Sequence, residues 1–202
     1  MGDGSEIGRE GCNSLDDDRL LQQMRLRDVS AMEAFYQRHA RAVHAFAYHR
    51  LDDAALVDEI VNGTMHQSWL SAHTFAGNSS VKTWLLGIAK NKSLDAARKR
   101  SRHQSREQTG NDDLHEAFAD TAPGAYLQLL SRQKGQHLSQ CFDQLPVEQS
   151  ACMHLFLVEG MTLTEIAEVM TIPANTVATR IHHAKRKLRA CMECLFGKGQ
   201  VI

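Results

Sequence analysis

The segment Met161–Ile181, MTLTEIAEVMTIPANTVATRI, constrains the fold more than any other stretch of the chain. Thr162 followed three residues later by Glu165 is a capping box, which starts a short helix by satisfying its first backbone donors. Ile166, Ala167 and Met170 then recur at helical spacing, with the small Ala167 where two helices would cross. Thr171-Ile172-Pro173-Ala174 reads as a tight turn, and Asn175 as the N-cap of a second helix. Val177 and Ile181 face its core, with Leu188 two turns further on. Thr176, Ala178, Thr179, Arg180, His182, His183 and Lys185 are left outside. A second helix with a polar, basic outer face is what insertion into a DNA major groove requires. The segment is predicted to be a helix-turn-helix.

Charge supports this reading through its distribution, because the formal net charge of −1 favours no polyanion. Met1–Leu20 holds six acids and two arginines. Asn91–Arg106 holds Lys92, Arg98, Lys99, Arg100, Arg102 and Arg106 against Asp95 alone, and Thr176–Lys198 holds six basic residues against Glu193. Two basic patches on a near-neutral chain point to two contacts with phosphate. With 43% hydrophobic residues and only 3 prolines in 202, the chain can build packed cores. Helical spacing dominates and strand alternation is rare, which predicts an all-α protein of two small helical domains joined by a flexible linker. An acidic N-terminus without an apolar run argues against a signal peptide, and no stretch of about 18 apolar residues suggests a membrane span. Five cysteines at irregular spacing favour a reducing cytoplasm over a disulfide framework.

Along the chain, residues 1–18 read as a disordered terminus and 19–103 as a first domain. A helix is predicted from about Leu20 to Arg50, with Met32, Phe35, Tyr36, His39, Val43 and Phe46 on one face. A second runs from about Ala54 to His73, capped by an aspartate of Leu51-Asp52-Asp53. After a polar loop, Phe75–Ser80, a third runs from about Ser80 to Ser101, with Trp84, Leu85, Ile88, Ala89, Leu94 and Ala97 inward. Residues 104–124 read as the linker and 125–196 as the helix-turn-helix domain, in which Pro146 opens one helix and Glu159-Gly160 closes it.

These residues resemble the extracytoplasmic-function (ECF) sigma factors of bacteria. Leu145–Arg189, with its Glu-Gly, Thr-Glu-Ile-Ala and Thr-Val-x-x-Arg steps, is similar to their −35-reading domain. Ala34–His39, Asp58-Glu59-Ile60-Val61 with Trp69, and Thr83–Asn91 with Asp95 and Arg98-Lys99-Arg100 are similar to their other domain. The resemblance covers about Leu20–Met192 apart from the linker, and within the family it is greatest to a cobalt–nickel-resistance member. It implies an alternative sigma factor, with no catalytic residues, cofactor or small-molecule substrate. Its partners would be core RNA polymerase, promoter DNA and a membrane-anchored anti-sigma factor, and its regulon one of stress or metal resistance. Asp58, Glu59, Ile60 and Asn62 would meet the polymerase. Phe75, Asn78, Ser79, Ser80, Trp84 and Asn91 would receive a flipped −10 base, and Lys82, Lys90, Lys92 and Arg98 would hold phosphates. Asn175, Thr176, Thr179, Arg180, His182, His183 and Lys185 would serve the −35 element.

The chain departs from the family pattern at three places. Asn62-Gly63 and Met65 stand where Gln-Glu and an aromatic are usual, and a glycine inside a helix costs ~1 kcal/mol relative to alanine. Asn175 replaces a glycine, and Ala178 a basic residue. Cys191 and Cys194 lie one helical turn apart, but no second pair completes a tetrahedral metal site, so they read as bystanders. The histidines, His66 and His73 among them, read as half-exposed packing residues. From the residues alone, two other classes compete: a helix-turn-helix repressor or activator that dimerises through its N-terminal half, and an interaction module for an acidic protein. Tight duplex binding without polymerase would mark the former, and no DNA binding at all the latter.

Overall fold

The computed structural model describes residues 7–51, 53–104 and 138–196; the segment read as a linker lies outside them. Among the described residues there is helix and no strand. Helix α1 spans Ile7–Arg25, so it begins inside the stretch read as disordered. Its anchor is Leu21 and Met24, both fully buried, together with ion pairs at mid-helix. Asp17 Oδ1 accepts from Arg38 Nη1 at 2.7 Å and lies 3.1 Å from His39 Nε2, while Asp16 meets Arg38 Nη2 at 2.6 Å. Burial of Asp17 opposes its ionisation, but His39 and Arg38 outweigh it and hold the carboxyl below its ordinary value. Two acids of the stretch read as disordered, Asp16 and Asp17, are thus bound to α2.

The single helix predicted over Leu20–Arg50 is two helices. Arg27 adopts left-handed backbone (φ 65°) and breaks the chain direction. Asp28 then caps α2 (Val29–Tyr48) by accepting from the Ser30 amide at 2.9 Å. Helix α2 buries Ala31, Phe35, His39, Val43, Phe46 and Ala47, one stripe at three- and four-residue steps. Helix α3 (Ala54–Ser71) starts where expected, its N-cap Asp53 accepting from Leu56 N at 3.2 Å. A 3-10 turn at Ala72–Thr74 ends it. Helix α4 (Val81–Gln104) buries Val81, Leu85, Leu86, Ala89 and Ser93. Its inward stripe is therefore rotated from the predicted one: Trp84, Ile88 and Leu94 are only half-buried and Ala97 is exposed.

The second unit begins with a helical turn at 138–143, followed by α5 (Val147–Leu157), α6 (Leu163–Met170) and α7 (Ala174–Phe196). Pro146 does open α5. All six residues Ser150–Leu155 are buried, so α5 is covered all round, as a central helix must be. Helices α6 and α7 cover part of it and α2 of the first unit another part, while α4 packs on α6. The two units read from the sequence are thus packed together, and their buried side chains form one continuous core. Cys141 and Cys191 form a disulfide, with Cα atoms 5.9 Å apart, that ties 138–143 to α7. This corrects the expectation of reduced bystanders: Cys191 pairs with a residue 50 positions away, while Cys194 is exposed and Cys152 buried.

Candidate nucleic-acid interface

Three surfaces bring the predicted site residues together. The first is the loop after α3. Arg25, at the end of α1, donates from Nε to the Ala72 carbonyl (3.0 Å) and from Nη2 to the Phe75 carbonyl (2.7 Å). These bonds satisfy carbonyls that the end of a helix leaves open, and they fix the start of the loop. Gly77 takes left-handed backbone (φ 74°), and Ser80 Oγ accepts from the Thr83 amide at 3.1 Å, starting α4. The loop thereby sets the half-buried Phe75 ring 5.4 Å from the Trp84 ring, with Asn78 and Ser80 exposed beside them. An aromatic pair with an exposed amide side chain in the same loop offers an unstacked base both a π-face and hydrogen bonds, while the Ser80 hydroxyl is engaged by Thr83. Asn91 is exposed two turns further along α4.

The basic residues of α4 are divided. Arg98 is exposed and lies 3.4 Å from Asp95. Lys92 turns toward α3, where a Cβ on Gly63 would lie 3.4 Å from its Cδ. A small side chain at position 63 would thus meet the lysine stem at ordinary van der Waals distance. Lys82 and Lys90 point to the second unit. Lys82 forms a close ion pair with the Glu159 carboxylate and also donates to the Glu159 carbonyl at 3.2 Å, and Lys90 donates to Thr171 Oγ1 at 3.2 Å.

The second surface is the outer face of α3. Asp58, Glu59 and Asn62 are exposed, and Asn62 Oδ1 accepts from Tyr36 OH at 3.3 Å. Ile60 is buried with Ala47, Leu51 and Val57, so it supports this face from beneath and does not belong to it. A groove of about 500 Å³ runs between α3 and α4, lined by Asp53, Glu59, Gly63, Lys92, Asp95 and Lys99 among others.

The third surface is the helix-turn-helix. The capping box forms: Thr162 N donates to Glu165 Oε2 at 2.8 Å and Glu165 N to Thr162 Oγ1 at 3.3 Å. Thr171 ends α6 in left-handed backbone (φ 55°). Helix α7 starts at Ala174, two residues earlier than predicted, so Asn175 lies within its first turn and does not cap it; the Pro173 carbonyl accepts from the Thr176 and Val177 amides. Val177, Ile181, Ala184 and Leu188 are buried, as the spacing requires. Asn175, Thr179, His182 and Lys185 are exposed, with Thr176, Arg180 and His183 half-buried beside them. Arg180 is already engaged, its Nη1 donating to Glu148 Oε2 at 2.8 Å, and Lys185 stands 4.5 Å over the Phe156 ring. The partners of Arg25, Glu148 and Glu159 are not legible in the sequence, because each acts on a residue 32 to 98 positions away and no local pattern announces such a partner.

With this geometry in place, the comparisons are specific. Residues 35–103 match the family described as Sigma-70 region 2, and residues 136–188 match Sigma-70, region 4. The ECF RNA polymerase sigma factor SigK of Mycolicibacterium vanbaalenii is 25% identical over 178 residues, 87% of this chain and 88% of that one. SigL of Mycobacterium tuberculosis, also an ECF RNA polymerase sigma factor, is 25% identical over 170 residues, 82% and 91% of the two chains. Among solved structures, CnrH in complex with the cytosolic domain of CnrY has a similar fold (TM-score 0.62, 21% identity, 89% of this chain and 98% of that one). So does the sigma factor RpoE of Bartonella quintana in complex with the anti-sigma factor NepR (TM-score 0.62, 19% identity, 80% and 98%).

Proposed function

Because this chain belongs to the ECF sigma factors, we propose that it binds core RNA polymerase and directs promoter-specific initiation of transcription. The observation that carries the proposal is the pairing, on one chain, of two different nucleic-acid surfaces: an aromatic and amide loop beside a basic helix, suited to a melted strand, and a helix-turn-helix suited to a duplex. A regulator that only bound duplex DNA would use the second and have no need of the first.

In this reading Asp58, Glu59 and Asn62 dock on the polymerase. Phe75, Asn78, Ser79, Ser80, Trp84 and Asn91 hold an unstacked −10 base, with Lys82, Lys90, Lys92 and Arg98 along its phosphates. Thr179, His182 and His183 face −35 base edges, while Asn175, Thr176, Arg180 and Lys185 contact the backbone. Ala178 removes one basic contact, so the −35 preference differs from that of relatives with a cation there. The chain then works in the cytoplasm, where the polymerase is. Two structures of similar fold were solved with partners bound, one of them named an anti-sigma factor. This supports an anti-sigma factor as the regulator of this chain too, and the sequence resemblance supports a regulon of stress or metal resistance.

The test is run-off transcription with sigma-free core polymerase and a promoter library. Promoter-specific initiation supports the proposal and yields both elements. A folded chain, free of inhibitor, that does not bind the core refutes it and leaves a conventional helix-turn-helix regulator. Asp58→Ala with Glu59→Ala lowers core affinity without unfolding the chain, since both side chains are solvent-exposed; full affinity in a co-purification titration removes that docking face.

A further inference from the structure

Three of the cations assigned to DNA are held by contacts within the chain. Lys82, in the first turn of α4, is doubly bound by Glu159 through its carboxylate and its backbone carbonyl. Lys90, two turns along the same helix, is bound by Thr171, the residue that ends α6. On α7, Arg180 is bound by Glu148 Oε2, and the other oxygen of that carboxylate takes Arg50 Nη2 from the end of α2 at 3.0 Å. One carboxylate therefore joins a recognition-helix arginine to the first unit, and the Arg50 side chain is 4% exposed there.

Glu148 lies in the first turn of α5 and Glu159 just past its end, ~16 Å apart at helical rise. Because α5 is buried on every side, it holds the two carboxylates at a fixed separation between the two cationic surfaces. Each presents oxygen acceptors where a phosphate oxygen would otherwise sit, to the residue types that bind phosphate.

We propose that the free chain masks its own DNA surfaces, with Glu148 and Glu159 standing in for promoter phosphates, so that the two units must part before Lys82, Lys90 and Arg180 can reach DNA. This rests on the function proposed above. Partly exposed ion pairs contribute little each, which suits a latch that a polyanion or the polymerase can displace. If the closed form outweighs the open one by about ten to one, the apparent affinity for DNA is lowered by about that factor.

Two measurements on the full chain test it. The first is zero-length carbodiimide cross-linking of the wild type, read by mass spectrometry. A Lys82–Glu159 isopeptide bond forms in the free chain and disappears when sigma-free core polymerase and promoter DNA are added. The second is anisotropy binding of a random 20-nucleotide single strand and a 25-base-pair duplex to Glu148→Gln with Glu159→Gln. A control variant, Asp18→Asn with Glu33→Gln, changes net charge equally at two exposed acids away from both surfaces. The latch variant binds about tenfold tighter than the control. Equal affinities, or no cross-link in a free chain that initiates transcription, overturn the latch alone. A chain that neither binds the core nor supports transcription overturns the proposed function and the masking with it.

Discussion

Reduction of the Cys141–Cys191 disulfide should loosen the helix-turn-helix unit by an amount the topology sets. The bond closes a loop of 50 residues that contains α5, α6 and most of α7. In the chain-entropy account, closing ~50 residues removes ~14 cal/mol/K from the unfolded ensemble, or ~4 kcal/mol at 25 °C. Residual structure in the unfolded chain lowers this, so a loss of about 2–4 kcal/mol is expected, against a total stability of about 5–15 kcal/mol for a domain. Urea unfolding followed by far-UV circular dichroism, with and without reductant, reads the difference directly. On heating, the midpoint should fall by at least ~10 °C at about 4–8 °C per kcal/mol for a unit of this size. Alkylation supplies an independent count. Among the described cysteines, Cys152 and Cys194 label in denaturant without reductant, and Cys141 and Cys191 label only after reduction. In the folded chain the exposed Cys194 labels before Cys152, because burial pushes the Cys152 thiol up and shields it. Labelling of all five without reduction, or an unfolding midpoint that ignores reductant, would refute the argument.

Ile166→Ala, at a fully buried position where α6 meets the core, should cost about 2–5 kcal/mol by urea titration; a loss below about 1 kcal/mol would mean the site collapses around the cavity. Thr162→Ala removes one half of the capping box and should cost about 1 kcal/mol, detectable as a small drop in the same midpoint. Acid should destabilise the seam between the two units in two stages. His49, packed on Phe142 and His154 and bonded to Ser150, is lowered from 6.5 to about 4, first by burial and then by His154. The unfolded chain therefore takes up a proton below pH 6.5 that the folded chain refuses until about pH 4, and stability falls across that window. Glu159 is held at about 2 by His154 and Lys82; the imidazole is 3.7 Å away, so Lys82 is the firmer partner. Its stabilisation is present above 4.5 and is lost as pH falls toward 2. His49→Gln should flatten the thermal-midpoint profile between pH 6.5 and 4, and an unchanged profile would exclude His49 as its cause.

The local elements were legible because their causes are local. A capping box joins residues three apart, Asp53 caps an amide three residues on, and the stripes of α2 and α7 follow a 3.6-residue period; each was read correctly from neighbouring letters. Where a local signal was weak, the reading failed. Arg27 breaks a helix without a glycine or proline to announce it, and α1 was taken for a tail because its acids have their partners on α2. Asn175 is a good capping residue set two positions too late to cap.

The sequence alone determined an all-helical chain with a helix-turn-helix, the two basic stretches and the family. Tertiary structure decided which of those charges are available. That Cys191 pairs with Cys141 and not toward Cys194, and that Glu148 and Glu159 claim Arg180 and Lys82, depend on contacts across 32 to 98 residues. Helical periodicity encodes which side of a helix is apolar, but it does not encode which other helix that side will meet. Long-range pairing is set by how whole faces pack, and only the packed chain specifies it.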